Sequence, residues 1–180
     1  MENNEIIKKE NNEIVKFDKV AYLQKYDPLK VLTSLRHIKT SIQAIENDEV
    51  SLALSSKHIG MDSVLALIEV HLASLSESVN VGQPLSKYQI KEIAIEIHSM
   101  FYFLSMTEIC FVLRKAKRGE YGQLYGVLNI VAILDWFNQY VEERTQVFIN
   151  KSTQDRHNDH SLRSSDRKEL KQSKHYNDEK

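Results

Sequence analysis

Cysteine is nearly absent from this 180-residue chain. The single cysteine, Cys110, excludes a disulfide within the chain and a multi-cysteine metal cluster, and it is typical of a reducing compartment. We therefore expect a cytoplasmic protein. The first residues mix acids and bases without an apolar stretch, so we expect no secretion signal.

Proline and glycine are also scarce, with 2 prolines and 5 glycines. Because these residues break regular elements, their scarcity favours long helices over many short strands. Long apolar runs are missing as well. The longest aromatic-rich run, residues 100–104, is far shorter than the roughly 20 residues of a membrane-spanning helix. We therefore expect no membrane contact.

The chain has no large excess of either charge. Its formal net charge is −1, so no overall field attracts a polyanion, and any basic site has to be local. The length suits one well-packed domain. What the chain does have is apolar periodicity at three- and four-residue steps, which predicts an all-α, irregular bundle of about five to six helices.

Composition divides the chain into three parts. Residues 1–12 hold most of an imperfect polar duplication, NNEIIKKE followed by NNEIVKFD, and are expected to be a frayed lead-in. Residues 13–150 are the predicted single helical domain. Residues 151–180 carry few apolar side chains among many charged ones, which predicts a disordered charged tail.

Local signals set the predicted boundaries in the first half of the domain. Helical spacing runs from Ile14 to about Tyr26, and Asp27 with Pro28 starts a new helix. This second helix is predicted to cover residues 29–45. Its core stripe is Leu29, Leu32, Leu35, Ile38, Ile42 and Ile45. The stretch 47–60 is ambiguous and has room for a short extra helix.

The second half has clearer signals. An amphipathic helix is predicted over residues 62–79, and the next three helices each follow a capping residue. These caps are Ser86 with Gln89, Ser105 with Glu108, and Asn129. The predicted helices after Ser105 and Asn129 cover residues 106–118 and about 130–150. The first of them has a core face that includes Ile109 and Val112.

A Gly/Tyr-rich turn, GEYGQLYG, precedes the last predicted helix. Gly119 stands where a left-handed residue ends a helix, and Gly122 and Gly126 shape the rest of the turn. Tyr121 and Tyr125 lie between these glycines. Trp136 lies off the main apolar stripe of the last helix, so we expect it to pack against one of the two tyrosines.

A basic–aromatic patch is the one unusual surface that helical phase predicts. It lies on the helix over residues 106–118, opposite the core face, and continues into the turn. Its members are Phe111, Arg114, Lys115, Arg118, Tyr121 and Tyr125. Cations interleaved with aromatic rings suit single-stranded nucleic acid. The alternative interpretation, which we favour, is that the cations complement the helix dipole and the rings pack under another element.

Catalytic and metal signatures are missing from the sequence. Glu96 and His98 are two residues apart and diverge on a helix, unlike the Glu-x-x-His ligands of bundle metal sites. We therefore interpret His71 and His98 as partly buried structural residues. No nucleophile elbow, phosphate loop or dinucleotide fingerprint occurs, so we expect neither catalysis nor a cofactor.

The segment of residues 104–144 resembles a family of small helical proteins from bacterial phages and mobile elements. Three elements carry the resemblance: a helix start that contains Thr and Glu, a Gly-x-Tyr-Gly turn, and a Trp-x-x-x-Tyr helix that ends in Glu-Arg. They correspond here to Thr107, Glu108, Gly119, Tyr121, Gly122, Trp136, Tyr140, Glu143 and Arg144. Similar modules occur in phage helicase loaders, which implies a role in replication.

Two functional hypotheses follow. The first is a non-enzymatic accessory protein of phage or mobile-element DNA metabolism that contacts single-stranded DNA or a replicative helicase through the patch. The alternative is an adaptor or inhibitor of a host protein that has no contact with nucleic acid, and the near-neutral charge favours it. The sequence is silent on oligomeric state.

Overall fold

The structure is a computed structural model that describes residues 6–8, 14–47, 49–79, 83–122 and 128–177, with side chains from residue 17 to residue 156 within these ranges. Two short antiparallel strands, β1 (Ile6–Lys8) and β2 (Ile14–Lys16), precede eight helices in this part of the chain. The helices are α1 (Lys19–Lys25), α2 (Pro28–Ser34), α3 (Ser41–Ile45), α4 (Leu52–Ile59), α5 (Met61–Ser78), α6 (Lys87–Met100), α7 (Met106–Lys117) and α8 (Ile130–Asn177). The predicted all-α class is confirmed, and the helices described slightly exceed the expected five to six.

The first helix begins five residues later than predicted. Residues 14–16, expected to be helical, pair with residues 6–8 of the expected frayed lead-in, and Ile7 lies opposite Val15. The two strands occupy matching positions in the duplicated segment. Asp18 sets the true helix start, because its carboxylate accepts hydrogen bonds from the backbone of Val20 and Ala21 at 2.9 and 3.0 Å.

The predicted helix over residues 29–45 is two helices, α2 and α3. A capping box of Thr40 and Gln43, which sequence reasoning missed, ends the connection and starts α3. The predicted core stripe is correspondingly wrong at three positions. Leu29, Leu32 and Ile42 are exposed, while Leu35 and Ile38 are buried. The short extra helix expected within residues 47–60 is present as α4.

Helices α5 and α7 hold the centre of the core. Helix α5 packs against α4, α6 and α7, and α7 also packs against α3. Every residue from Met106 to Leu113 is buried, so α7 lacks an outer face over its first two turns. The predicted capping boxes of α6 and α7 are confirmed, with the backbone N–H of Ser105 donating to the Glu108 carboxylate at 2.8 Å.

Helix α8 is described as far as Asn177. The disordered charged tail that the sequence predicts over residues 151–180 stays a prediction. The sequence after Gly126 contains neither glycine nor proline, and nothing local stops the helix. Contacts divide the chain into a unit that ends at Val141 and a second unit that starts at Glu142. The side chains of residues 151–156 are exposed. Among the described helices, none has the length and hydropathy needed to cross a lipid bilayer.

Candidate functional site

The predicted basic–aromatic patch is divided between two environments. Phe111 is only 3% exposed and meets the ring of Tyr140 edge-on, with 6.0 Å between centroids. Phe111 lies beside two cations as predicted, with its ring centroid 5.7 Å from the Arg114 Cζ and 5.9 Å from the Lys115 Nζ, but the prediction that it is on an outer face is wrong. Helical phase assumes one buried face, whereas Tyr140 of α8 also covers α7 at Phe111.

Lys115 belongs to the same internal environment. Its side chain is 12% exposed, and its Nζ lies 4.7 Å from the Tyr121 ring centroid and 4.0 Å from the Glu120 carboxylate. The Tyr121 ring stacks on Trp136 at 6.4 Å, which confirms the expected packing of the tryptophan. Phe111, Lys115 and Tyr121 therefore follow the packing interpretation of the patch.

The turn after α7 has the predicted local geometry where it is described. Gly119 and Gly122 have φ angles of +74° and +103°, which glycine adopts without strain. At the far side of the turn, the Asn129 side chain caps α8 by accepting a hydrogen bond from Ala132 at 2.9 Å. Tyr125 and Gly126 lie outside the described residues.

The remaining cations of the patch, Arg114 and Arg118, line a cleft of about 360 Å³ between α2, α5 and α7, which we call the cationic cleft. Its lining residues are of two kinds. The cations are Arg36, Arg114, Lys117 and Arg118, which we call the positive wall, and the largely apolar wall is Pro28, Val31, Leu32, Cys110 and Leu113. His71 and Ser74 complete the lining. Among the described residues that line it there is no acidic side chain and no Phe, Tyr or Trp.

Arg114 ties two parts of the core together at the cleft. Its Nη1 donates to the Leu35 carbonyl at 2.7 Å, and its Nη2 donates to the Ile38 carbonyl. These carbonyls belong to the connection between α2 and α3. The Arg114 Nε is buried and finds no acceptor among the described residues. This guanidinium therefore stabilises the cleft, with two of its five N–H donors bonded to carbonyls of the protein.

The other three cations are more available to a ligand. The Lys117 Nζ lies 3.3 Å from both the carbonyl and the hydroxyl oxygen of Ser74, which are neutral. Arg118 is 55% exposed and lies 3.6 Å from the Glu120 carboxylate. Arg36 is exposed, and its guanidinium makes no hydrogen bond or ion pair within the described part of the chain, where only its backbone N–H donates, to the Thr33 carbonyl.

Burial makes the positive charge of the cleft costly. Desolvation lowers the pKa of Arg114, and the neighbouring charge of Arg118 lowers it further. Desolvation also lowers the pKa of Lys117. Because no carboxylate lines the cleft in the described structure, an anionic group placed there would relieve this cost. The arrangement therefore suits an anionic ligand.

Two buried residues that line the cleft, His71 and Cys110, are not poised for chemistry. The His71 Nε2–H donates to the Tyr26 carbonyl at 2.8 Å, and the Cys110 Sγ lies 3.5 Å from the same nitrogen. Burial lowers the pKa of His71 and raises the pKa of Cys110 to about 12. Cys110 is therefore a thiol at neutral pH and a poor nucleophile.

His71 and His98 have hydrogen-bond partners within the protein, as expected of structural residues. His71 is bonded to backbone, and the His98 Nε2 lies 2.8 Å from the Ser56 hydroxyl. His71 lies at the edge of the apolar stripe of α5, which predicts partial burial, but the residue is buried in the structure. Across the described residues, no three His, Cys, Asp or Glu side chains come together as a metal site would require.

Sequence reasoning missed two of the four cations. Arg36 reaches the cleft from the connection after α2, nearly eighty positions before Arg114 in the chain. No pattern within one helix signals that approach. Lys117 follows Arg114 by three positions and therefore lies on the same helix face. A patch that included neighbours three positions apart would have contained it.

Buried hydrogen bonds account for several residues that carry the family resemblance. The Thr107 hydroxyl lies 2.8 Å from the Tyr26 hydroxyl. The Tyr140 hydroxyl donates to the Glu108 carboxylate at 2.9 Å. Thr107 and Glu108 therefore connect α7 to the end of α1 and to α8, which is a structural role.

Comparison of the chain with protein-family models, with curated proteins and with solved structures finds no match. The resemblance of residues 104–144 to small helical proteins of phages and mobile elements stays a prediction.

Proposed function

We propose that this chain is a non-enzymatic, cytoplasmic accessory protein of phage or mobile-element DNA metabolism that acts by binding another replication protein, such as a replicative helicase. The observation that carries the proposal is the cationic cleft, in which positive and apolar walls meet beside exposed leucines. The process is assigned from the resemblance of residues 104–144.

A protein partner is better supported than single-stranded DNA. Stacking of bases on aromatic side chains supplies about 1–3 kcal/mol per base in single-strand binding. The patch rings with described side chains are engaged inside the protein, Phe111 with Tyr140 and Tyr121 with Trp136. The cleft would therefore offer phosphate contacts without stacking, and the net charge of −1 adds no general attraction.

Exposed leucines on α2 favour a protein interface. Leu29 and Leu32 are 78% and 65% exposed, and their three-residue spacing places them on one side of the helix. Leu32 also lines the cleft. Protein interfaces combine an apolar centre with a polar rim, and the α2 leucines with the neighbouring cations provide both.

The test is capture of partners by the full-length, tagged chain, with identification by mass spectrometry. The surface variant is Leu29→Asp with Leu32→Asp. The matched control is Tyr88→Asp with Ile95→Asp, which changes two exposed apolar residues of α6. We expect a helicase or primase to bind the parent chain and the control and to be lost from the surface variant. Equal capture by all three chains would contradict the proposed surface.

An adaptor or inhibitor of a host protein, without nucleic-acid contact, is the second candidate function. The same exposed leucines support it, and the identity of the captured protein separates the two candidates. A single host protein unrelated to replication, lost in the surface variant, would favour the adaptor. Single-strand binding has its own test: a fluorescent oligothymidylate whose salt-dependent binding disappears on Lys117→Glu with Arg118→Glu would support direct DNA contact.

A further inference from the structure

We infer that the cationic cleft binds an acidic peptide segment that carries one apolar side chain. The inference rests on the proposed function, because it names the part of a protein partner that the cleft would recognise. Two features of the cleft define this ligand: its charge and its apolar wall.

The charge of the cleft fits carboxylates. Arg36, Lys117 and Arg118 line it, and the Arg36 side chain makes no hydrogen bond or ion pair within the described residues. In the same part of the chain, the hydrogen bonds of the Lys117 Nζ go to neutral oxygens of Ser74. These long side chains can turn toward several carboxylates of one peptide. Arg114 remains bonded to carbonyl groups of the protein, and we assign it a positioning role.

The apolar wall fits a single side chain. Val31, Leu32 and Leu113 contribute to it, and the cleft volume of about 360 Å³ lies near the lower end of ligand pockets. That space suits an aromatic or aliphatic side chain and is too small for a whole helix. Such a side chain between acidic residues would meet both walls at once.

A phosphate ligand fits less well. Phosphate makes no use of an apolar wall, and no Phe, Tyr or Trp among the described lining residues is available for a base to stack on.

The experiment measures fluorescence anisotropy of labelled eight-residue peptides with the full chain. One peptide has aspartates on both sides of a phenylalanine. A second has serine in place of the phenylalanine, and a third has lysines in place of the aspartates. We expect the first to bind and to weaken as salt rises from about 50 to 200 mM. We expect the second to bind about tenfold more weakly, because it loses the buried ring, and the third not to bind.

Matched variants locate the binding. Arg36→Glu with Lys117→Glu reverses two cations of the cleft and should reduce binding of the first peptide at least tenfold. Lys87→Glu with Lys91→Glu reverses two exposed lysines of α6 and should leave binding unchanged. Thermal unfolding of each variant, followed by Trp136 fluorescence, checks that it is folded.

Several results would overturn the inference. Equal binding of the phenylalanine and serine peptides would indicate a plain anion site. Equal loss in both variants would indicate non-specific attraction, and competition by oligothymidylate at the same concentration as the peptide would indicate a nucleic-acid site. If no peptide binds but capture of a replication protein still depends on Leu29 and Leu32, the proposed function stands and this inference alone fails.

Discussion

Replacing Arg114 by methionine tests whether this residue is mainly structural. The change keeps an unbranched but shorter side chain and removes the donors to the Leu35 and Ile38 carbonyls. A hydrogen bond to a charged group contributes about 1.5–3 kcal/mol, so the two bonds set a ceiling near 6 kcal/mol. Because Arg114 is partly exposed and its burial opposes its charge, we expect a loss of about 2 kcal/mol in unfolding free energy.

The assay is urea unfolding followed by the fluorescence of Trp136, the chain's only tryptophan, which lies buried in the first unit. A loss of about 2 kcal/mol corresponds to a melting temperature lower by roughly 6 °C. Arg114→Lys keeps one donor and should lose about half as much. Arg118→Met is the control, because its surface ion pair with Glu120 contributes at most about 1 kcal/mol. A change below about 0.5 kcal/mol in Arg114→Met would refute the structural role.

Three further predictions concern stability. Tyr140→Phe should cost about 2 kcal/mol in urea unfolding, because it removes the hydrogen bond to Glu108, whereas Tyr88→Phe at an exposed site should cost nothing measurable. Gly119→Ala should cost about 1 kcal/mol in the same assay, since its φ of +74° strains any side chain even though nothing closer than 3.8 Å meets the added Cβ. Because burial lowers the pKa of His71, the unfolded chain binds its proton first as pH falls below about 6.5. Stability should therefore fall toward pH 5, with a slope of up to about 1.4 kcal/mol per pH unit from this residue, and His71→Gln should flatten that fall.

Structural features that depend on residues within one helical turn were predictable from the sequence. The caps at Asp27, Ser86, Ser105 and Asn129 are all confirmed by hydrogen bonds over two or three residues. Such bonds depend on residue type and spacing, which the sequence displays directly. The left-handed Gly119 is confirmed for the same reason.

Predictions that depended on which element of the chain packs against a helix were wrong. The apolar spacing over residues 29–45 correctly predicted helical structure. We assumed one continuous helix, but the capping box at Thr40 divides the segment into α2 and α3. Leu29 and Leu32 then lie on the exposed side of α2. Apolar spacing shows that residues share a face, and only tertiary packing decides which face is covered.

The candidate site was half predictable. Arg114 and Arg118 were identified as members of a local basic surface, and both line the cleft. Arg36 comes from a distant connection, so sequence spacing could not place it there. Phe111 was assigned to the same surface because a helical wheel has a single core face, whereas α7 is enclosed on several sides.

The position of α7 explains how a nearly neutral chain holds a positive cleft. Its first half is fixed by buried hydrogen bonds of Thr107 and Glu108, and its last turn presents Arg114 and Lys117 to the cleft. The pKa values of these two cations are lowered by desolvation, so keeping them charged in the cleft costs free energy. Packing of the first half supplies the stability that offsets this cost. A change such as Tyr140→Phe should therefore loosen the cleft as well as the core, while reversal of Arg36 should alter binding and leave the core intact.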